Sequence, residues 1–140
     1  MPKRVLDTNI LITHFHLLRP LDGKGPGEAE DWARALIRDK ASDAIVSPVE
    51  VEFLCGVLDE HERELREAYL RPFKVIDEHR TLPQDWQEAR RLAKHPGFQA
   101  SPRDLGDCLI VAIAERLKHV VVTLDKGLLR QQGRARQRRP

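Results

Sequence analysis

Four short runs rich in β-branched residues punctuate the chain: "RVLD" near residue 5, "AIVS" at 44–47, "FKVID" at 73–77 and "VVVTLD" at 120–125. The stretches between them are longer and have helical periodicity. Residues 28–39 place Ala29, Trp32, Ala33 and Leu36 on one face, and 59–71 is a charged amphipathic segment. Residues 83–95 form another such segment, built on Trp86, Ala89 and Ala93, while 102–118 is apolar through Leu109, Ile110, Val111, Ala112, Ile113 and Ala114. Short apolar strands alternating with helices predict an α/β fold, a parallel β-sheet flanked by helices on both faces. The composition of "LDGKGPGE" (21–28) and "KHPGFQASP" (94–102) predicts flexible loops, and neither is long enough to split the chain.

At 140 residues the chain reads as one domain, of a size that buries roughly 70% of its unfolded surface. No apolar run approaches the roughly 20 residues of a membrane span, and no signal-peptide pattern is present. Cys55 and Cys108 both sit in apolar helix-like segments. Two buried free thiols are expected, which suits a reducing cytoplasm. All 22 acidic residues lie in 1–125 with 18 of the 24 Lys and Arg, so that stretch carries −4; the last fifteen residues carry +6 and no acid. Residues 1–130 are expected to fold and 131–140 to form a basic, disordered tail. That tail is either a solvated terminus or an attraction to a polyanion.

The acids fall at particular places in this framework. Asp7 ends the first run and Asp125 the last, two residues after Thr123. In a parallel sheet both project at the carboxyl edge, where open α/β sheets place their sites. Asp7 also has a structural reading, as the N-cap of the run that follows. In "SPVEVEFLCG" (47–56) Ser47 reads as an N-cap, Pro48 as the first helical residue and Glu50 as the acid closing a capping box. Glu52 then has no structural role among Val49, Val51, Phe53, Leu54 and Cys55, and Gly56 leaves room beside it. "SPRDLGDCLIVAIA" (101–114) repeats the grammar: Ser101 caps, Asp104 closes the box and Asp107 is the spare acid. Asp7, Glu52, Asp107 and Asp125 at one edge would repel each other unless a cation sat between them. Oxygen donors without His or Cys select Mg²⁺ or Mn²⁺ over zinc. His14 and His16 have no zinc framework and are expected on a helix surface. With no P-loop, no G-x-S-x-G and no C-x-x-C, such a site suits metal-assisted hydrolysis of a phosphodiester.

At these residues the chain resembles the PIN-domain ribonucleases, and most of all the VapC toxins of toxin–antitoxin pairs. "VLDTN" resembles the family's opening motif and "VEFLCG" its E-L-x-x-G segment, which favours Glu52 over Glu50. "DCLIVAIA" is similar to the D-x-x-I-A-A-x-A helix and "VVTLD" to the closing T-x-D. The resemblance runs from residue 4 to 125. It implies an acidic metal site at Asp7, Glu52, Asp107 and Asp125, with Asn9 and Thr123 orienting carboxylates or water. It also implies an RNA substrate, a cognate antitoxin and a homodimer. Two departures stand out. No convincing strand follows Asp125, and Val111 replaces a small residue of the family helix.

Rival readings are weaker. A haloacid-type phosphatase wants D-x-D, but position 9 is Asn; a receiver wants an acidic pair near the first strand. A non-catalytic RNA- or partner-binding module would be expected to lose one or more acids. A housekeeping PIN nuclease in RNA maturation is the nearest alternative to the toxin.

Overall fold

The computed structural model describes residues 3–94 and 105–124. Each β-branched run coincides with a strand to within a few residues: β1 (Lys3–Leu6), β2 (Ala44–Ile45), β3 (Lys74–Val75) and β4 (His119–Val122). β1 pairs in parallel with β4, Lys3 opposite His119 through Leu6 opposite Val122. β2 pairs in parallel with β3, Ala44 opposite Lys74 and Ile45 opposite Val75. The pairs adjoin between β1 and β2, where the Ser42 hydroxyl donates to the Arg4 carbonyl at 2.6 Å. Helices fill the connections: α1 (Thr8–His16), α2 (Pro26–Lys40), α3 (Ser47–Leu54), α4 (Glu60–Leu70), α5 (Pro83–Ala93) and α6 (Leu105–Arg116). The fold is therefore the expected α/β arrangement of parallel strands and packed helices. Among the described residues no helix is long and apolar enough to cross a membrane.

β2 and β3 are shorter than the runs that contain them because their ends turn to other work. Val46 is the N-cap of α3 and Ser47 its first residue, so Ser47 does not cap the helix as expected. The cap comes from across the sheet. Asp77, 4% exposed, accepts from the Ser47 N–H (3.1 Å) and from the Ser47 hydroxyl (2.8 Å). An anion there satisfies the unpaired N–H groups and the positive end of the helix dipole. Glu50 consequently closes no capping box; its Oε1 meets His79 Nε2 at 3.1 Å. The second expected box, at Ser101 and Asp104, lies outside the described residues, as do the loop 95–102 and the chain after Leu124.

Four further expectations are corrected. The 21–28 segment is largely ordered: Leu21 is buried, Gly25 is the N-cap of α2, and the helix begins at Pro26. The buried face of α5 is Asp85, Ala89 and Leu92, one position away from the Trp86–Ala89–Ala93 face, and Trp86 is half exposed. The shift follows from a salt bridge, since Asp85 is buried against Arg116 of α6 (2.7 and 3.0 Å) and also accepts from the Leu82 N–H. Cys108 is buried as expected, but Cys55 is exposed just past the end of α3. His14 is half buried, stacked on Trp32 with ring centroids 4.1 Å apart; His16 is exposed as expected.

The core beneath α1, α3 and α4 is aromatic. Phe15, Phe53 and Tyr69 are fully buried, with Phe15 edge-on to the other two rings. Arg66 lies over both phenylalanine rings, pairs with Glu62 at 3.0 Å and donates to the Phe53 carbonyl at 2.7 Å. That last bond ties the C-terminal turn of α3, the turn that carries Glu52, to α4.

Candidate active site

Asp7 stands at the end of β1 and caps α1, the two positions read for it from the sequence. It follows the last residue of β1, and its N–H extends the ladder to the Val122 carbonyl (2.9 Å). Its backbone is extended (φ −80°, ψ 160°), and its Oδ1 accepts from the Thr8 N–H at 2.8 Å, which caps α1. The residue is only 3% exposed. Its other oxygen, Oδ2, accepts from the Thr123 hydroxyl at 2.7 Å, just beyond the end of β4. Thr123 Oγ1 stands 3.1 Å from Asn9 Nδ2 and 3.3 Å from Asn9 Oδ1. A hydroxyl has one proton, and the short contact to the carboxylate claims it. Thr123 therefore donates to Asp7 and accepts from the Asn9 amide, whose Oδ1 takes the Leu124 N–H (3.3 Å). Asn9 and Thr123 are thus joined in a chain of hydrogen bonds that reaches Asp7.

Glu52 reaches the same place from the last turn of α3. Its Oε1 accepts from the Thr8 hydroxyl at 2.7 Å. Half burial pushes its carboxyl above the usual glutamate range; the Thr8 hydrogen bond opposes this, and the negative charge of Asp7 adds to it. The glycine beside this carboxylate is Gly106, not Gly56. A Cβ on Gly106 would lie 2.5 Å from Glu52 Oε2 and 2.9 Å from its Cδ, whereas one on Gly56 would meet nothing within 4 Å. Asp107, the next residue, is half buried in the first turn of α6. Asp125 lies outside the described residues.

The structure thus brings Asp7, Glu52, Asn9 and Thr123 together and sets Asp107 one residue from the glycine that Glu52 touches. Among the described residues, no group of three or more His, Cys, Asp or Glu is arranged to hold a metal ion. The donor chemistry nonetheless fits a hard divalent cation. Glu52 and Asp7 each disfavour the other's charge, so a cation between them would be stabilised by both.

Two further residues belong to this neighbourhood, Thr8 and Gly106. Thr8 touches both acids, but its partner Glu52 is 44 residues away and no local pattern announces the contact. Gly106 did leave a signal. Glycine inside a helix costs about 1 kcal/mol relative to alanine, which is tolerated where another group must approach closely.

The PIN domain family model matches residues 4–133. The chain belongs to the PIN domain family. PIN domains are generally nucleases that act on RNA and use divalent metal ions. No curated protein and no solved structure matches the chain. The matched span takes in all of β2, β3 and β4 and all but the first residue of β1.

Proposed function

We propose that this PIN domain is a metal-dependent endoribonuclease, the toxin of a VapBC-type toxin–antitoxin pair, that hydrolyses RNA phosphodiester bonds at Asp7, Glu52, Asp107 and Asp125. The observation that carries the reading is the meeting of Asp7 and Glu52 at the buried Thr8, with burial and the charge of Asp7 both raising the Glu52 carboxyl above its ordinary range. Groups tuned in this way by burial and by a like charge cluster at functional sites. The four motifs resemble the VapC toxins most of all, which is why the toxin is preferred to a housekeeping nuclease. On this reading residues 1–130 are the nuclease domain and 131–140 a basic tail. The chain works in the cytoplasm as a homodimer, restrained by a cognate antitoxin.

The four acids would hold Mg²⁺ or Mn²⁺. Such an ion supplies Lewis-acid polarisation of the scissile phosphate and an acidified water for the attack. The chain's own contribution is preorganisation. The Thr8 N–H and the Thr123 hydroxyl fix the plane of the Asp7 carboxylate, and Asn9 fixes Thr123. Glu52 is held by the Thr8 hydroxyl.

Asp7→Asn tests this reading. Asparagine caps a helix about as well as aspartate, so α1 and the fold should persist. Cleavage of RNA in Mg²⁺ or Mn²⁺ should fall by orders of magnitude, and the melting temperature without metal should hold or rise as the repulsion with Glu52 is relieved. Cleavage at the wild-type rate in this variant, with contaminating nuclease excluded, rules the site out.

A further inference from the structure

We infer that Thr8 is the positioning residue that sets the spacing of the two carboxylates and thereby the affinity of the site for a divalent cation. Thr8 is the first residue of α1 and only 8% exposed. It has two donors, and each is spent on a different acid: the N–H on Asp7 Oδ1 at 2.8 Å and the hydroxyl on Glu52 Oε1 at 2.7 Å. The acids arrive on separate elements, one from the end of β1 and the other from the last turn of α3. Thr8 binds both. Without it, two carboxylates that repel each other would settle apart.

The hydroxyl also sorts the two oxygens of Glu52. Oε1 is occupied by Thr8, while Oε2 faces the space that a side chain at position 106 would fill, with no hydrogen-bond partner among the described residues. Oε2 is therefore the oxygen presented to a cation, and Thr8 and Gly106 together hold it in one orientation. Partners of this kind, which orient a ligating group without touching the metal, typically change metal affinity about 10- to 100-fold when removed.

The inference rests on the metal-site reading above, and the experiment separates the two. Mn²⁺ binding to the full chain is measured by calorimetry without RNA, for the wild type, Thr8→Val, Thr8→Ser and Asp7→Asn. RNA cleavage and a thermal melt are recorded for each. Thr8→Val keeps the shape and the backbone donor and loses only the hydroxyl. Its Mn²⁺ Kd should rise about tenfold or more. Its kcat should fall with little change in KM for RNA, and Thr8→Ser, which restores the hydroxyl, should return to within about threefold of wild type. Should Thr8→Val melt far below the wild type, Thr8→Ala is read in its place with the same expectation. If the variant lacking the hydroxyl binds Mn²⁺ as tightly as the wild type while Asp7→Asn does not, the role of Thr8 is overturned and the site stands. If the wild type binds no Mn²⁺, or Asp7→Asn binds it unchanged, both fall together.

Discussion

Two glutamates on one helix turn show how residue identity and residue role separate. Glu50 and Glu52 are both acids of α3, but Glu50 leans out to His79 while Glu52 turns in to Thr8. Glu52→Gln should lower cleavage by orders of magnitude. Folding holds the Glu52 carboxyl above its ordinary range, so the folded state favours the protonated form. The resulting stabilisation is fully present below the unfolded pKa and lost as pH rises through the folded one. At neutral pH the amide escapes that loss, and the metal-free variant should melt at or a few degrees above the wild type. Glu50→Gln removes only an exposed pair worth about 0–1 kcal/mol, and activity and melting should barely change. An inactive Glu50 variant beside an active Glu52 variant would reverse the assignment. Asp7 and Glu52 were legible because an acid at a strand end, or among apolar helix residues, demands a reason. Thr8 was not, because a threonine at a helix start is already explained by its local position.

At the scale of elements, the joint between α1, α2 and α4 turns on His14. Its ring stacks on Trp32, its Nδ1 meets the Tyr69 hydroxyl at 2.7 Å, and its carbonyl accepts from Trp32 Nε1 at 2.8 Å. Burial lowers the His14 pKa; Asp39 opposes this and Lys40 adds to it. The folded state therefore prefers the neutral ring. Its contribution is complete above the unfolded value near 6.5 and is lost as pH falls from there through the lower folded value. His14→Phe keeps an aromatic ring but strands the buried Tyr69 hydroxyl, a cost of about 1–3 kcal/mol at neutral pH. The gap in melting temperature between wild type and variant should be widest above pH 7 and shrink below about pH 6. A gap that stays constant across that range would remove His14 as the titrating group. All four strand runs and the helical stretches were readable from periodicity, since period and burial coincide in most of them. The exceptions share a cause: a distant charge decides the local outcome. Asp77 takes the cap from Ser47, and Arg116 draws Asp85 inward at the expense of Trp86.

Over the whole molecule, charge is divided along the chain, with −4 over residues 1–125 and +6 over the last fifteen. If the tail gathers RNA, it does so through counterion release, independent of base sequence. Deleting 131–140 removes Arg134, Arg136, Arg138 and Arg139. The slope of log affinity for single-stranded RNA against log salt should then flatten by at most about 3. The cleavage pattern should persist, because all four acids remain. An unchanged slope with a lower melting temperature would make the tail part of the fold instead. The pairing of β1 with β4 has a consequence in time. Asp7 and Thr123 are 116 residues apart, so their hydrogen bond forms only after residue 123 has been synthesised. At ribosomal speeds the first strand waits on the order of ten seconds for its partner. On the ribosome the Asp7 end of this PIN domain therefore stays unassembled until Thr123 has been made, and any activity that needs the pair has to wait for that residue.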